Sequence, residues 1–209
     1  MRVDIWSDVV CPFCYVGRAR FEKALAGFDG RGDVEVVYHA FELDPSWPRG
    51  QTMPTMEMLA TKYQLSPADA EAAESRVAGL AQAEGLGFRA DRVLGNTFDL
   101  HRVLRLAADQ GFQHRLLDAI YQAYFGQAAD VFDPDVLAKL AEGAGLDPDD
   151  VQQVLDSGDY TAEVRADEEQ ARQLGINGVP FFVLDGRLGV SGAQSTETFT
   201  EALRQAASA

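Results

Sequence analysis

The spacing of hydrophobic positions divides the chain into three stretches. Val3 to Trp6 is a short β-type run. From Pro12 to about Ala26 the apolar residues Val16, Phe21 and Leu25, with Phe28 just beyond, keep helical spacing. Pro12 suits a first helical position, where a missing N–H costs nothing. Gly27 and Gly30 punctuate, and Val34 to Phe41 reads as a second strand.

The middle stretch carries helical signals. Ser66-Pro67, Asp133-Pro134 and Asp147-Pro148 are cap-plus-proline helix starts, and Asn96-Thr97 opens another helix. Gly111, Gly145 and Gly175 sit where helices should stop. Leu116, Leu117, Ile120, Tyr121 and Tyr124 form an apolar stripe. The last stretch returns to strands. Val179 to Leu184 is a buried-type run, Asp185-Gly186 a hairpin turn, and Leu188 to Val190 the returning strand. Ser195 caps a final helix in which Phe199 and Leu203 lie one turn apart. This order predicts an α/β domain built from residues 1–47 and 160–209, interrupted by an all-helical insertion over 48–159.

Charge and composition narrow the partners. The formal net charge of the 209 residues is −15, which repels phosphate backbones and anionic lipid. Nucleic acid and membrane partners are therefore not expected. No stretch approaches the roughly 18 consecutive apolar residues of a membrane span. The N-terminus has no basic segment followed by an apolar one, so no secretory signal is read and a cytoplasmic location is expected. There are two cysteines, Cys11 and Cys14, which fits a reducing compartment. His39, His101 and His114 show no metal-ligand spacing, and no metal site is expected.

Cys11-Pro12-Phe13-Cys14 is the chemical motif. With Cys11 at a helix N-cap, Cys14 falls one turn later on the same face, at a separation that a disulfide can bridge. The helix N-terminus favours the thiolate of Cys11, whereas Cys14 lies inside the first turn. Roles follow: Cys11 attacks and Cys14 resolves. The same spacing is found in half of a zinc site and in pairs of core cysteines. The strand before the motif, and the helix and strand after it, favour the redox reading.

These residues resemble the DsbA-like branch of the thioredoxin superfamily, and within it the FrnE-type cytoplasmic oxidoreductases. The segments that carry the resemblance are Ser7 to Gly17, Asn96 to Arg102, Gly175 to Val183 and Val190 to Gln194. The resemblance implies a thioredoxin fold with a large helical insertion. It also implies a dithiol at a helix start and a cis proline opposite it, at Val179-Pro180. The implied activity is thiol–disulfide exchange through Cys11 and Cys14, with Pro12, Phe13, Val179 and Pro180 contacting substrate. Substrates would be disulfide-bearing proteins or small thiols. No cofactor is implied beyond the redox-active pair and an external thiol reductant.

Two departures stand out. Periplasmic relatives carry a His between the cysteines where this chain has Phe13, which implies a less acidic Cys11 and a less oxidising couple. Some FrnE relatives have a second cysteine pair, and this chain has none. The related kappa-class glutathione transferases and hydroxychromene-carboxylate isomerases offer an alternative function, a thiol-dependent isomerase or transferase. They generally place Ser at the position of Cys11 and hold glutathione with an Asp-Arg pair, where this chain has Ala193-Gln194. Among the remaining residues, Trp6, Phe13 and Tyr15 are candidates for an apolar rim around the dithiol. His39 and His101 read as structural. Asp8 either opposes thiolate formation or is solvated.

Overall fold

The computed structural model describes residues 1–208 and falls into two compact units. One comprises Met1–Leu43 and the chain from Arg165 onward; the other is Asp44–Val164.

The first unit is built on a four-stranded sheet. Strand β1 (Arg2–Ser7) leads through a turn into helix α1 (Pro12–Ala26), and β2 (Glu35–Ala40) returns parallel to β1. After the second unit, β5 (Phe181–Leu184) pairs antiparallel with β1, and β6 (Leu188–Ser191) pairs antiparallel with β5. Asp185 and Gly186, at φ 50° and 65°, make the turn between them, closed by the Arg187 N–H on the Leu184 carbonyl. Helix α9 (Thr196–Ala207) follows, its Ser195 cap accepting the N–H of Thr198.

Strand alternation sorts the side chains into two layers. On one face Phe182 meets Phe21 of α1 and Phe199 of α9, with ring centroids 4.6–5.7 Å apart. On the other face Trp6 packs with Ala171 and Ile176, with Phe41, Val179, Phe181 and Val183 around them. Ala171 belongs to helix α8 (Thr161–Gln173), within which the boundary between the units falls.

His39 is held on that second face. Its Nε2 and Nδ1 each lie 2.7 Å from a carboxylate oxygen, of Asp4 and Asp167 respectively, and Trp6 stacks on the ring at 4.5 Å. Asp167 also accepts the Ala40 N–H at its other oxygen, and its carbonyl accepts Trp6 Nε1. Carboxylates only accept, so this placement favours the imidazolium, in which both ring nitrogens donate. Burial opposes that charge, and the hydrogen bonds and charges of Asp167 and Asp4 outweigh it, leaving the His39 pKa raised.

The second unit is helical, with one exception to the all-helical expectation. Its helices are α2 (Thr55–Lys62), α3 (Pro67–Ala83), α4 (Phe98–Asp109), α5 (Gln113–Tyr121), α6 (Pro134–Ala144) and α7 (Pro148–Asp156). The exception is a ribbon of β3 (Thr52–Pro54) with β4 (Val93–Gly95). Two strands this short carry no readable alternation, and their pairing closes around α2 and α3. The caps at Ser66, Asp133 and Asp147 accept N–H groups of the first turn, and Gly111, Gly145 and Gly175 have positive φ after their helices. Buried Arg102 donates to the carbonyls of Val154, Ser157 and Asp159, satisfying acceptors in the last turn of α7 and just after it.

Two outcomes test this packing. Phe182→Ala should destabilise the protein by about 3–5 kcal/mol, because it empties the centre of the aromatic layer. His39→Gln should cost on the order of 3 kcal/mol at pH 6, below the ordinary histidine pKa. Because the folded pKa is raised above the unfolded value of about 6.5, this contribution is complete below that pH and is lost as pH rises through the folded value. Urea unfolding from pH 6 to 9 should show the gap between wild type and variant closing. A constant gap would mean that folding does not shift the pKa of the ring.

Candidate active site at the start of helix α1

Strand β1 ends at Ser7, and a turn closed by the Cys11 N–H on the Asp8 carbonyl, at 3.1 Å, delivers the chain into α1. Cys11 is the N-cap residue, with extended backbone, and Pro12 takes the first helical position. The Cys11 carbonyl accepts the N–H groups of Cys14 and Tyr15, at 3.0 and 3.3 Å. Both cysteines are free thiols and both are buried.

The Cys11 thiol is not turned onto the helix N–H groups, as the N-cap position alone suggested; it makes no capping hydrogen bond. Its Sγ donates instead to the Val179 carbonyl, 3.5 Å away. This contact joins residues 168 positions apart in sequence. The Val179–Pro180 bond is cis, and the Gly192 N–H donates to the Pro180 carbonyl at 2.8 Å. Beside the loop lies an open groove of about 360 Å³ lined by Asn177, Gly178, Val179, Pro180, Phe181 and Gly192.

Cys14 is held differently. Burial pushes its thiol well above the usual cysteine range, and a hydrogen bond to Cys11 adds to this. The Asp8 N–H and the Ser7 hydroxyl act in the opposite direction, both as hydrogen-bond partners of Cys14. Burial therefore favours the protonated form of the Cys14 thiol.

Several sequence expectations are corrected. Asp8 is not solvated: it is 1% exposed and its Oδ2 accepts the Leu43 N–H at 2.8 Å. The apolar rim reduces to Phe13, which is 44% exposed, because Trp6 and Tyr15 are buried in the core. Pro12, Phe13, Val179 and Pro180 all lie at the dithiol or on the facing loop. His101 is buried within α4, in the other unit. Among the described residues no group of three or more His, Cys, Asp or Glu could hold a metal ion, and no helix is long and apolar enough to cross a membrane.

Sequence reading missed the role of Gly17. A Cβ there would stand 3.0 Å from Pro180 Cγ and 3.2 Å from the Ala193 backbone, so α1 seats directly on both loops. Arg20 on the next turn ties down the same loop, donating to the Ala193 carbonyl at 2.8 Å. Glycine inside an otherwise regular helix was the signal available in the sequence.

A four-stranded sheet with a dithiol at the N-terminus of the following helix, faced by a cis-proline loop, defines a thioredoxin-fold dithiol protein. The model of the DSBA-like thioredoxin domain matches residues 2–204, and the chain belongs to that family. A probable DsbA oxidoreductase of Streptomyces coelicolor is 53% identical, with a TM-score of 0.96 over 100% of this chain and 90% of that one. The uncharacterized protein YwbO of Bacillus subtilis is 29% identical over 97% of this chain and 96% of its own. At the level of fold, the cytosolic disulfide reductase DsbM of Pseudomonas aeruginosa, solved with GSH, gives a TM-score of 0.69. It is 17% identical, with 100% of each chain covered.

The seating of α1 yields a paired prediction. Gly17→Ala should destabilise by about 1–3 kcal/mol, since the Ala193 backbone cannot yield as a side chain would. Gly79→Ala in α3, where nothing lies within 4 Å of the added Cβ, should stabilise by about 0.5–1 kcal/mol. Thermal unfolding of both variants checks this; two stabilising substitutions would show that the loops are not seated on α1.

Proposed function

We propose that the protein is a thiol–disulfide oxidoreductase that exchanges disulfides through Cys11 and Cys14. The observation that carries this reading is the contact pair at Cys11: a resolving thiol one turn along the helix, and the Val179 carbonyl on the facing loop. Membership of the DSBA-like family supports it.

In this reading the Cys11 thiolate attacks one sulfur of a substrate disulfide. A Cys11–substrate bond forms, the substrate S–S bond breaks, and the first substrate thiolate leaves with the electron pair. Cys14, after losing its proton to solvent, attacks Cys11 Sγ and expels the second thiolate. Two electrons have then moved from the dithiol to the substrate, and an external thiol or dithiol reductant restores the pair. The reverse sequence oxidises a substrate dithiol. Once Cys11 is in the mixed disulfide its S–H is gone, so the Val179 carbonyl is released. It can then accept an N–H from an extended substrate lying in the groove, as an added strand would. Phe13 offers apolar contact beside the reacting sulfur.

Disulfide-bearing peptides and small thiols are the substrates this groove suits. With −15 net charge, nucleic acid is not a partner in this reading. The two-cysteine composition accords with a reducing cytoplasm, where the pair would work as a reductase.

Non-reducing electrophoresis with a disulfide-bearing protein such as insulin tests the reading. Cys14→Ser should trap covalent adducts through Cys11, and Cys11→Ser should trap almost none. In a glutathione-dependent isomerase, Cys14→Ser would trap nothing and leave turnover intact, and that pattern would overturn the proposal.

A further inference from the structure

We propose that His39 is a positioning residue for the exchange reaction: clamped between Asp4 and Asp167, it ties β1 to α8 and so fixes the loop that holds the Val179 carbonyl opposite Cys11. This rests on the exchange reading above and extends it to how a peptide substrate is placed.

The clamp is short and buried. Asp4 Oδ1 lies 2.7 Å from His39 Nε2, and Asp167 Oδ1 lies 2.7 Å from Nδ1. Asp4 belongs to β1 and Asp167 to α8, so one ring bridges the two elements. Two further bonds hold α8 at the same residue. Asp167 Oδ2 accepts the Ala40 N–H at 2.9 Å, and the Asp167 carbonyl accepts Trp6 Nε1 at 3.0 Å. Two routes lead from this clamp to the loop. Along α8, Ala171 lies one turn beyond Asp167, and its carbonyl accepts the Ile176 N–H at 2.9 Å after Gly175, at φ 73°, has turned the chain. Through the ring, Trp6 stacks on His39 at 4.5 Å and packs with Ala171 and Ile176, and Val179 packs against that cluster. Both routes end three residues from Ile176 at Val179, whose carbonyl accepts the Cys11 thiol.

The charged groups that face His39 are Asp4 from β1, itself paired with Arg2 at 2.8 Å, and Asp167 from α8. An imidazolium donates to both carboxylates. A neutral ring has one N–H and sets a bare nitrogen against the other oxygen, 2.7 Å away. Loss of the proton therefore unties one end of the clamp, whichever tautomer remains. The raised pKa of His39 puts that loss above the ordinary histidine value of about 6.5. A peptide laid in the groove needs the Val179 carbonyl in place, and a small misplacement of such a group is costly in rate. A small disulfide needs only the Cys11 sulfur. A histidine that merely filled the core would change stability and leave the two kinds of substrate in the same proportion.

Two probes separate these roles: bis(2-hydroxyethyl) disulfide, and a blocked, uncharged linear peptide whose single cysteine is held as its mixed disulfide with mercaptoethanol. The second-order rate at which each oxidises the reduced protein is followed by alkylation and mass. Dividing the peptide rate by the small-disulfide rate cancels the ionisation of the protein's own thiols. At pH 6 this ratio should be about tenfold lower in His39→Gln and in Asp167→Asn than in wild type. In wild type the ratio should fall by a similar factor as pH rises from 6 to 9, and in both variants it should stay flat. A wild-type ratio that does not change with pH would overturn the proposal, and that measurement needs no variant to fold. Variants with the wild-type ratio, including variants slowed equally on both probes, would overturn it as well. A wild-type protein that neither disulfide oxidises would instead overturn the exchange reading, and the role of His39 with it.

Discussion

The pairing of β1 with β5 is the constraint on which the site depends. β1 runs centrally in the sheet, parallel to β2 on one side and antiparallel to β5 on the other. Its last residues turn into α1 and so place Cys11. The same register, with Trp6 opposite Phe181, places Pro180 and Val179 beside that turn. One ladder thus brings together a thiol and a carbonyl 168 residues apart. A slip of one residue would reverse every side chain on β5 and carry Phe182 out of the aromatic layer with Phe21 and Phe199. The packing that stabilises the sheet therefore also sets the site geometry.

In the proposed exchange the two sulfurs take different roles, and what surrounds each of them differs. Cys11 has the Val179 carbonyl as acceptor, on the loop that lines the groove. Cys14 is buried, and burial raises its pKa well above the usual cysteine range. Gly17 and Arg20 complete the arrangement by drawing the Pro180 and Ala193 loops onto α1. The loop is held by the helix that carries the thiols.

Features encoded by a few adjacent residues were readable in the sequence. The caps at Ser66, Asp133, Asp147 and Ser195 and the Asp185-Gly186 turn depend on chemistry local to each segment, and each is found where it was read. The cysteine pair was legible for the same reason. Features made by long-range contact were not. The β3–β4 ribbon joins three-residue strands about forty positions apart, too short for a period to show. Asp4 inside an otherwise apolar run was a signal that a charged partner must exist, but nothing local named His39 or Asp167. The burial of Asp8 likewise depends on the Leu43 N–H, and the placing of Cys11 Sγ on Val179 depends on the sheet.

The central claim is that Cys11 and Cys14 form one reversible two-electron couple, and the redox titration of the pair tests it most directly. The protein would be equilibrated across a series of thiol–disulfide buffers and its free thiols counted by alkylation and mass. The account predicts a single transition between two thiols and none, with a slope of about 30 mV per tenfold change in ratio and the same midpoint from either direction. Two thiols that persist across the whole range, or oxidation that appears only between molecules, would contradict it.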